Sequence, residues 1–147
     1  MQILLVEDIE IQASWLVDKL KARYPDCVLR HVRTESEFRG LGEGLHLNPP
    51  SLAIIDMMLR WCDPAPSMPP LSDDAKDEGR RAGLRCAKIL RASPRSANVP
   101  IIITTILEDI DFEDGEIPAD VKLVTKESDP ADFFRAIDAV RTEVGKS

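Results

Sequence analysis

Cysteine is scarce in this 147-residue chain. Cys27, Cys62 and Cys86 are odd in number, widely spaced and never paired as CxxC, so neither a disulfide framework nor a zinc site is suggested. No apolar run approaches the roughly 20 residues of a membrane-spanning helix, and Met1-Gln2-Ile3 enters a strand pattern without the basic and apolar stretches of a secretory leader. A soluble, cytoplasmic protein is the expectation. Positive charge is also in deficit: 19 Lys and Arg against 26 Asp and Glu leave a net charge of −7. That balance disfavours nucleic acid or an anionic membrane as the main partner and points to other proteins. Repeats and low-complexity tracts are absent, and a hydrophobic content of 44% in a chain of this length suits one domain, residues 1–147, with a real core.

What the chain does have is a set of short apolar runs that end abruptly in polar residues. Ile3-Leu4-Leu5-Val6 runs into Glu7-Asp8, and Leu52-Ala53-Ile54-Ile55 into Asp56. Val99-Pro100-Ile101-Ile102-Ile103 ends in Thr104-Thr105, and Leu123-Val124 in Thr125-Lys126. Continuous apolar runs of this length fit strands buried on both faces of a parallel sheet, whose ligand crevice lies beyond the strands' carboxyl ends. Three carboxylates, a hydroxyl and an ammonium would then meet at one sheet edge, an arrangement suited to a divalent cation and a phosphoryl group.

Helical patterns alternate with these strands, as βαβ units require. Ala13, Leu16, Val17, Leu20 and Tyr24 recur at helical spacing before Pro25, giving a helix over roughly residues 9–24. Residues 27–32 alternate enough for an edge strand. Thr34 and Glu37 form a T-x-x-E capping box opening a short helix with Phe38 and Leu41, before the turn-rich Leu47-Asn48-Pro49-Pro50. A third helix, from about Gly83 to Arg91, buries Leu84, Ala87 and Leu90; the last begins at an Asp129 cap with Pro130 at its first position and turns Phe133, Ile137, Val140 and Val144 inward. His31 and His46 stand alone, read as a strand-surface and a loop histidine.

The order Glu7-Asp8, Asp56, Thr105, Lys126 resembles the motif of receiver domains of two-component response regulators, over nearly the whole chain. LLVED, LAIIDMML, PIIITTI and LVTK match its acidic pair, phosphoaccepting Asp, Ser or Thr, and Lys in turn. The resemblance implies a doubly wound α/β fold, a five-stranded parallel sheet in order 2-1-3-4-5. It also implies that Asp56 accepts a phosphoryl group from a histidine kinase or phosphotransfer protein, with Thr105 and Lys126 assisting. Mg²⁺ would be held by Glu7, Asp8, Asp56 and the backbone carbonyl of Met58. Output would pass by contact with a downstream protein, or by homodimerisation, on the face of the fourth helix, fifth strand and fifth helix. Such a protein is a phosphoacceptor with self-catalysed phosphotransfer, not an enzyme acting on a separate substrate. The alternative is a receiver-like interaction module independent of phosphorylation.

Departures from that motif give further expectations. Glu127 follows Lys126 where receivers usually carry a proline after a cis bond, and since a cis bond before a non-proline costs about 3 to 4 kcal/mol, a trans peptide is expected. Leu123 stands where many receivers place a switching aromatic, and Ile106 where a small residue is usual. Residues 60–79 form a long insertion between the third strand and third helix, with Trp61 and four prolines, read as either a lid or partner-recognition arm anchored by Trp61 or a mobile loop. The segment from Leu107 to Val121 is acidic, with a short or irregular helix, and Ile11 and Trp15 lie off the buried stripe of the first helix. Apolar Met58 and Leu107, with Trp61, would shield an acyl phosphate on Asp56 from water and slow its loss.

Overall fold

The computed structural model describes residues 1–63, 70–71, 73, 79–106, 112–113, 115–126 and 128–145, with side chains through Thr142. Strands β1 (Gln2–Val6), β2 (Val28–Val32), β3 (Leu52–Asp56), β4 (Ile101–Thr105) and β5 (Lys122–Thr125) pair in parallel in the order β2-β1-β3-β4-β5. β3 and β4 are buried at every position, as their continuous apolar runs require, whereas β2 at the edge alternates exposed and part-buried residues.

Side chains alternate across each strand, so the sheet has two apolar faces. One presents Ile3, Leu5, Ile54, Ile102 and Val124 to α1 (Glu10–Arg23) and α5 (Pro130–Gly145), which contribute Leu16, Leu20, Phe133 and Ile137. The other presents Leu4, Val6, Ala53, Ile55 and Ile103 to α2 (Glu35–Gly40), α3 (Glu43–Leu47) and α4 (Ala82–Arg91), with Phe38, Leu45, Leu84 and Leu90. Fully burying each such side chain contributes about 1.5 to 3 kcal/mol, so these two layers dominate the driving force. No helix among the described residues is long and apolar enough to cross a membrane.

Local signals place the helix ends well. Thr34 Oγ1 accepts from Glu37 N at 3.1 Å, and Glu37 Oε2 reaches back to Arg33 N at 3.1 Å. Asp129 Oδ1 accepts from Ala131 N at 2.9 Å, leading into Pro130. One element escaped the sequence reading. Residues 43–47 form the one-turn helix α3, and His46 sits on it, its Nδ1 2.9 Å from the buried Ser96 Oγ, not in a loop. Short helices give too few repeats for periodicity to register.

The insertion is closed at its base. Leu59 N donates to Gly79 O at 3.3 Å, and Gly79 has φ +80°, where a Cβ would meet Leu59 O at 2.1 Å. Its first residues are tied to the start of α2. Glu35 N donates to Arg60 O at 3.0 Å and Ser36 N to Trp61 O at 2.8 Å, satisfying two of the amide donors that a helix N-terminus leaves open. The Arg39 guanidinium lies 5.3 Å from the Trp61 ring, so Trp61 anchors the segment on α2. Beneath it, the Glu35 carboxylate is buried and held by Arg39 at 2.8 Å and by Arg85 at 2.8 and 2.9 Å, joining α2 to α4. Between β4 and β5 the described residues include no helix; Glu116 there bonds Arg81 at the start of α4, whose guanidinium lies 5.6 Å from the Phe112 ring.

α4 begins directly against the end of β3. Gly83 N donates to Met57 O at 2.9 Å, and a Cβ on Gly83 would lie 2.3 Å from Asp56 O. Gly83→Ala is therefore expected to destabilise by about 2 kcal/mol despite the helix preference of alanine, while Gly40→Ala, where a Cβ meets nothing within 4 Å, should stabilise by up to about 1 kcal/mol. Urea denaturation of the two variants checks the contrast.

Candidate functional site

The carboxyl ends of β1, β3 and β4 and the turn after β5 converge at one edge of the sheet. Glu7 is held there by its backbone: Glu7 N donates to Val32 O at 3.0 Å, and His31 Nε2 lies 2.8 Å from Glu7 O. Its side chain is 1% exposed, with Oε1 accepting from Ile9 N at 3.1 Å. Asp56 is 2% exposed and ends β3, where Met57 N donates to Thr104 O at 2.8 Å and Met58 N approaches Asp56 Oδ1 at 3.4 Å. One oxygen from each of Glu7, Asp8 and Asp56 lies within 4.8 Å of the others.

Lys126 is the cation of this cluster. Its backbone N donates to Thr105 O at 2.9 Å, which aims the side chain back across the sheet. Nζ bonds Asp56 Oδ2 at 2.9 Å and Gln12 Oε1 at 2.5 Å, and contacts Glu7 Oε2 at 3.4 Å. One ammonium cannot neutralise two buried carboxylates. Burial and then the Asp56 charge push the Glu7 carboxyl up to about 8, with Lys126 opposing. Burial raises Asp56 as well, against the hydrogen bond and charge of Lys126.

Asp8 has a different partner. Arg60 N and Nε both reach Asp8 Oδ2, at 3.3 and 3.4 Å. The three oxygen donors form a hard, anionic set of the kind that suits Mg²⁺. Burial, more than the neighbouring charge, raises Glu7, and a bound cation would offset both.

Strand alternation separates the two threonines. Thr104 pairs with Asp56 in the sheet register and shares its face, with its Oγ1 buried and without a hydrogen-bond partner among the described residues. Thr105, one residue on at the end of β4, is buried and alternates to the face of Ile103. Thr104 also lines a cavity of about 270 Å³ between α1 and α5, walled by Ile11, Trp15, Leu16 and Phe133 and reaching Glu7 and Lys126. Ile11 and Trp15 are exposed at its rim, 83% and 45%.

Of the shielding residues, Met58 is 37% exposed, Trp61 stacks on Arg39, and Leu107 lies outside the described residues, as does Glu127 and with it the expected trans peptide. Ile106 points outward, 66% exposed, and Leu123 packs against the core. Sequence reasoning missed Gln12, Arg60, Thr104 and the role of His31. For Gln12 a signal existed, since it precedes Leu16 and Leu20 at four-residue spacing, one turn nearer the strand ends.

No protein-family model matches the sequence, and no curated protein matches it. Solved structures do. The signal receiver domain of a signal transduction histidine kinase from Syntrophus aciditrophicus superposes with a TM-score of 0.67 at 23% identity, covering 99% of this chain and 93% of that one. The chain has the receiver fold. A signal receiver domain of a two-component histidine kinase from Clostridium thermocellum gives 0.70 at 15% identity, over 95% and 96% of the chains. A response regulator receiver protein from Sinorhizobium medicae gives 0.67 at 16%, over 98% and 96%. At these identities the receiver fold is what is shared.

Two measurements probe this carboxylate site. Because the folded pKa of Glu7 lies above its unfolded value, the metal-free fold holds a proton that the unfolded chain releases near pH 4.5. Its stability in EDTA should fall as pH rises from about 5 to 8, and Glu7→Gln should flatten that slope, measured by urea midpoints across the range. Thr104→Val removes an unpartnered buried hydroxyl at constant shape and is expected to raise stability by about 1 kcal/mol in thermal melts.

Proposed function

We propose that the chain is a response regulator receiver in which Asp56 accepts a phosphoryl group from a phosphohistidine on a histidine kinase or phosphotransfer protein. The observation that supports it most is the convergence of Glu7, Asp8, Asp56 and Lys126 at the crevice end of a parallel sheet, with Lys126 Nζ 2.9 Å from the Asp56 carboxylate. An Asp56 oxygen forms the new bond to phosphorus as the bond to the donor imidazole breaks, leaving an acyl phosphate and a free histidine. Lys126 holds the attacking carboxylate beforehand and then offers its ammonium to a phosphoryl oxygen. Thr105, buried at the end of β4, supplies a hydroxyl to another. Gln12 keeps the ammonium near Asp56 throughout.

Glu7, Asp8 and Asp56, with the Met58 carbonyl, would hold Mg²⁺, which when bound neutralises charge on the transferring group. Burial of Glu7 and Asp56 strengthens every electrostatic contact there. Output would run through contact with a downstream protein or a second copy, on the face of β5, α5 and the β4–β5 segment. Leu123, packed against the core where an aromatic switch would stand, favours the second reading, an interaction module that works unphosphorylated.

Incubation with a small acyl-phosphate donor and Mg²⁺ is expected to add one phosphoryl group to the wild type and none to Asp56→Asn, read by intact mass spectrometry. Equal labelling of the two would discard Asp56 as acceptor. No labelling of either, together with no response to beryllofluoride, would leave the phosphorylation-independent module as the reading.

A further inference from the structure

Asp8 differs from the other two carboxylates of the site in which cation it meets. Glu7 and Asp56 share Lys126, whereas Asp8 Oδ2 receives both the backbone N–H and the guanidinium Nε of Arg60, a residue at the foot of the insertion. The backbone of that residue is fixed from the other side, because Arg60 O and Trp61 O accept from Glu35 N and Ser36 N at the start of α2. The fixed backbone presents the Arg60 N–H to Asp8 directly, and the half-exposed guanidinium reaches Asp8 through Nε and Asp63 Oδ1 through Nη1 at 3.5 Å. Arg60 and a divalent ion would seek the same carboxylate, and their like charges repel at that distance.

We propose that Arg60 is the built-in counter-ion of the Asp8 corner, holding it when no divalent ion is bound and giving way when one binds. The inference rests on the reading of Glu7, Asp8 and Asp56 as a metal site. Arg60 then sets the cation affinity of the site, and its release passes occupancy on to the neighbouring residue, Trp61, stacked on Arg39 of α2. Nothing in the motif of strand-end residues contains this contact, since Arg60 and Asp8 are 52 positions apart.

The test uses the full chain with Trp15→Phe, which leaves Trp61 as the one tryptophan of the two in the sequence. Mg²⁺ is titrated by calorimetry and by Trp61 emission into this protein and into the same protein carrying Arg60→Gln or Arg60→Ala. Both Arg60 variants are expected to bind Mg²⁺ about three- to tenfold more tightly, as the loss of a competing pair and of a like charge requires. Mg²⁺ should shift Trp61 emission when Arg60 is present and shift it much less in both variants. Binding with equal or weaker affinity in the variants would overturn the counter-ion role alone. Absence of Mg²⁺ binding in all three proteins would overturn it together with the metal-site reading.

Discussion

Three carboxylates crowd one edge of this sheet, and their mutual repulsion is the constraint to which the neighbouring structure answers. Two of them are almost fully buried, where an unneutralised charge is costly. The fold responds with a raised proton affinity at Glu7, with the Lys126 ammonium between Glu7 and Asp56, and with Arg60 on Asp8. Each response is local, yet each depends on a separate part of the chain: β1, β3, the turn after β5, and the foot of the insertion. The site is a meeting of four segments that no single one could form.

The insertion is integrated where it leaves and rejoins the domain. Its base is pinned by Leu59 and Gly79, and its first carbonyls take over the open amides of α2. With its two ends tied in this way, β3 keeps its register and α4 its start, where Gly83 packs against the Asp56 carbonyl. The buried Glu35 and its two arginines brace the same region from below. On the other side, between α1 and α5, the site opens into a largely apolar cavity.

Much of this was legible beforehand for identifiable reasons. Strands buried on both faces must be apolar throughout, so β1, β3 and β4 announced themselves, and their polar terminations marked the crevice. Caps are chemical signals confined to a few residues, and Thr34 and Asp129 were readable because a hydroxyl or carboxylate beside an apolar stripe has few other uses. α3 was not readable, because five residues with one buried leucine give no period. The partners of His31, His46 and Arg60 were also hidden, since each contact spans 24 or more positions.

The sequence by itself determined the alternation of strand and helix, the parallel sheet and the identity of the residues at its carboxyl edge, because those follow from local hydrophobicity and chain direction. Tertiary structure alone decided which cation meets which carboxylate, that Thr104 and not Thr105 shares the face of Asp56, and that Trp61 rests on α2. The physical reason is that hydrophobic burial acts on each segment's own composition, whereas ion pairing and hydrogen bonding require two groups within about 3 to 4 Å, a distance that only the packed register sets.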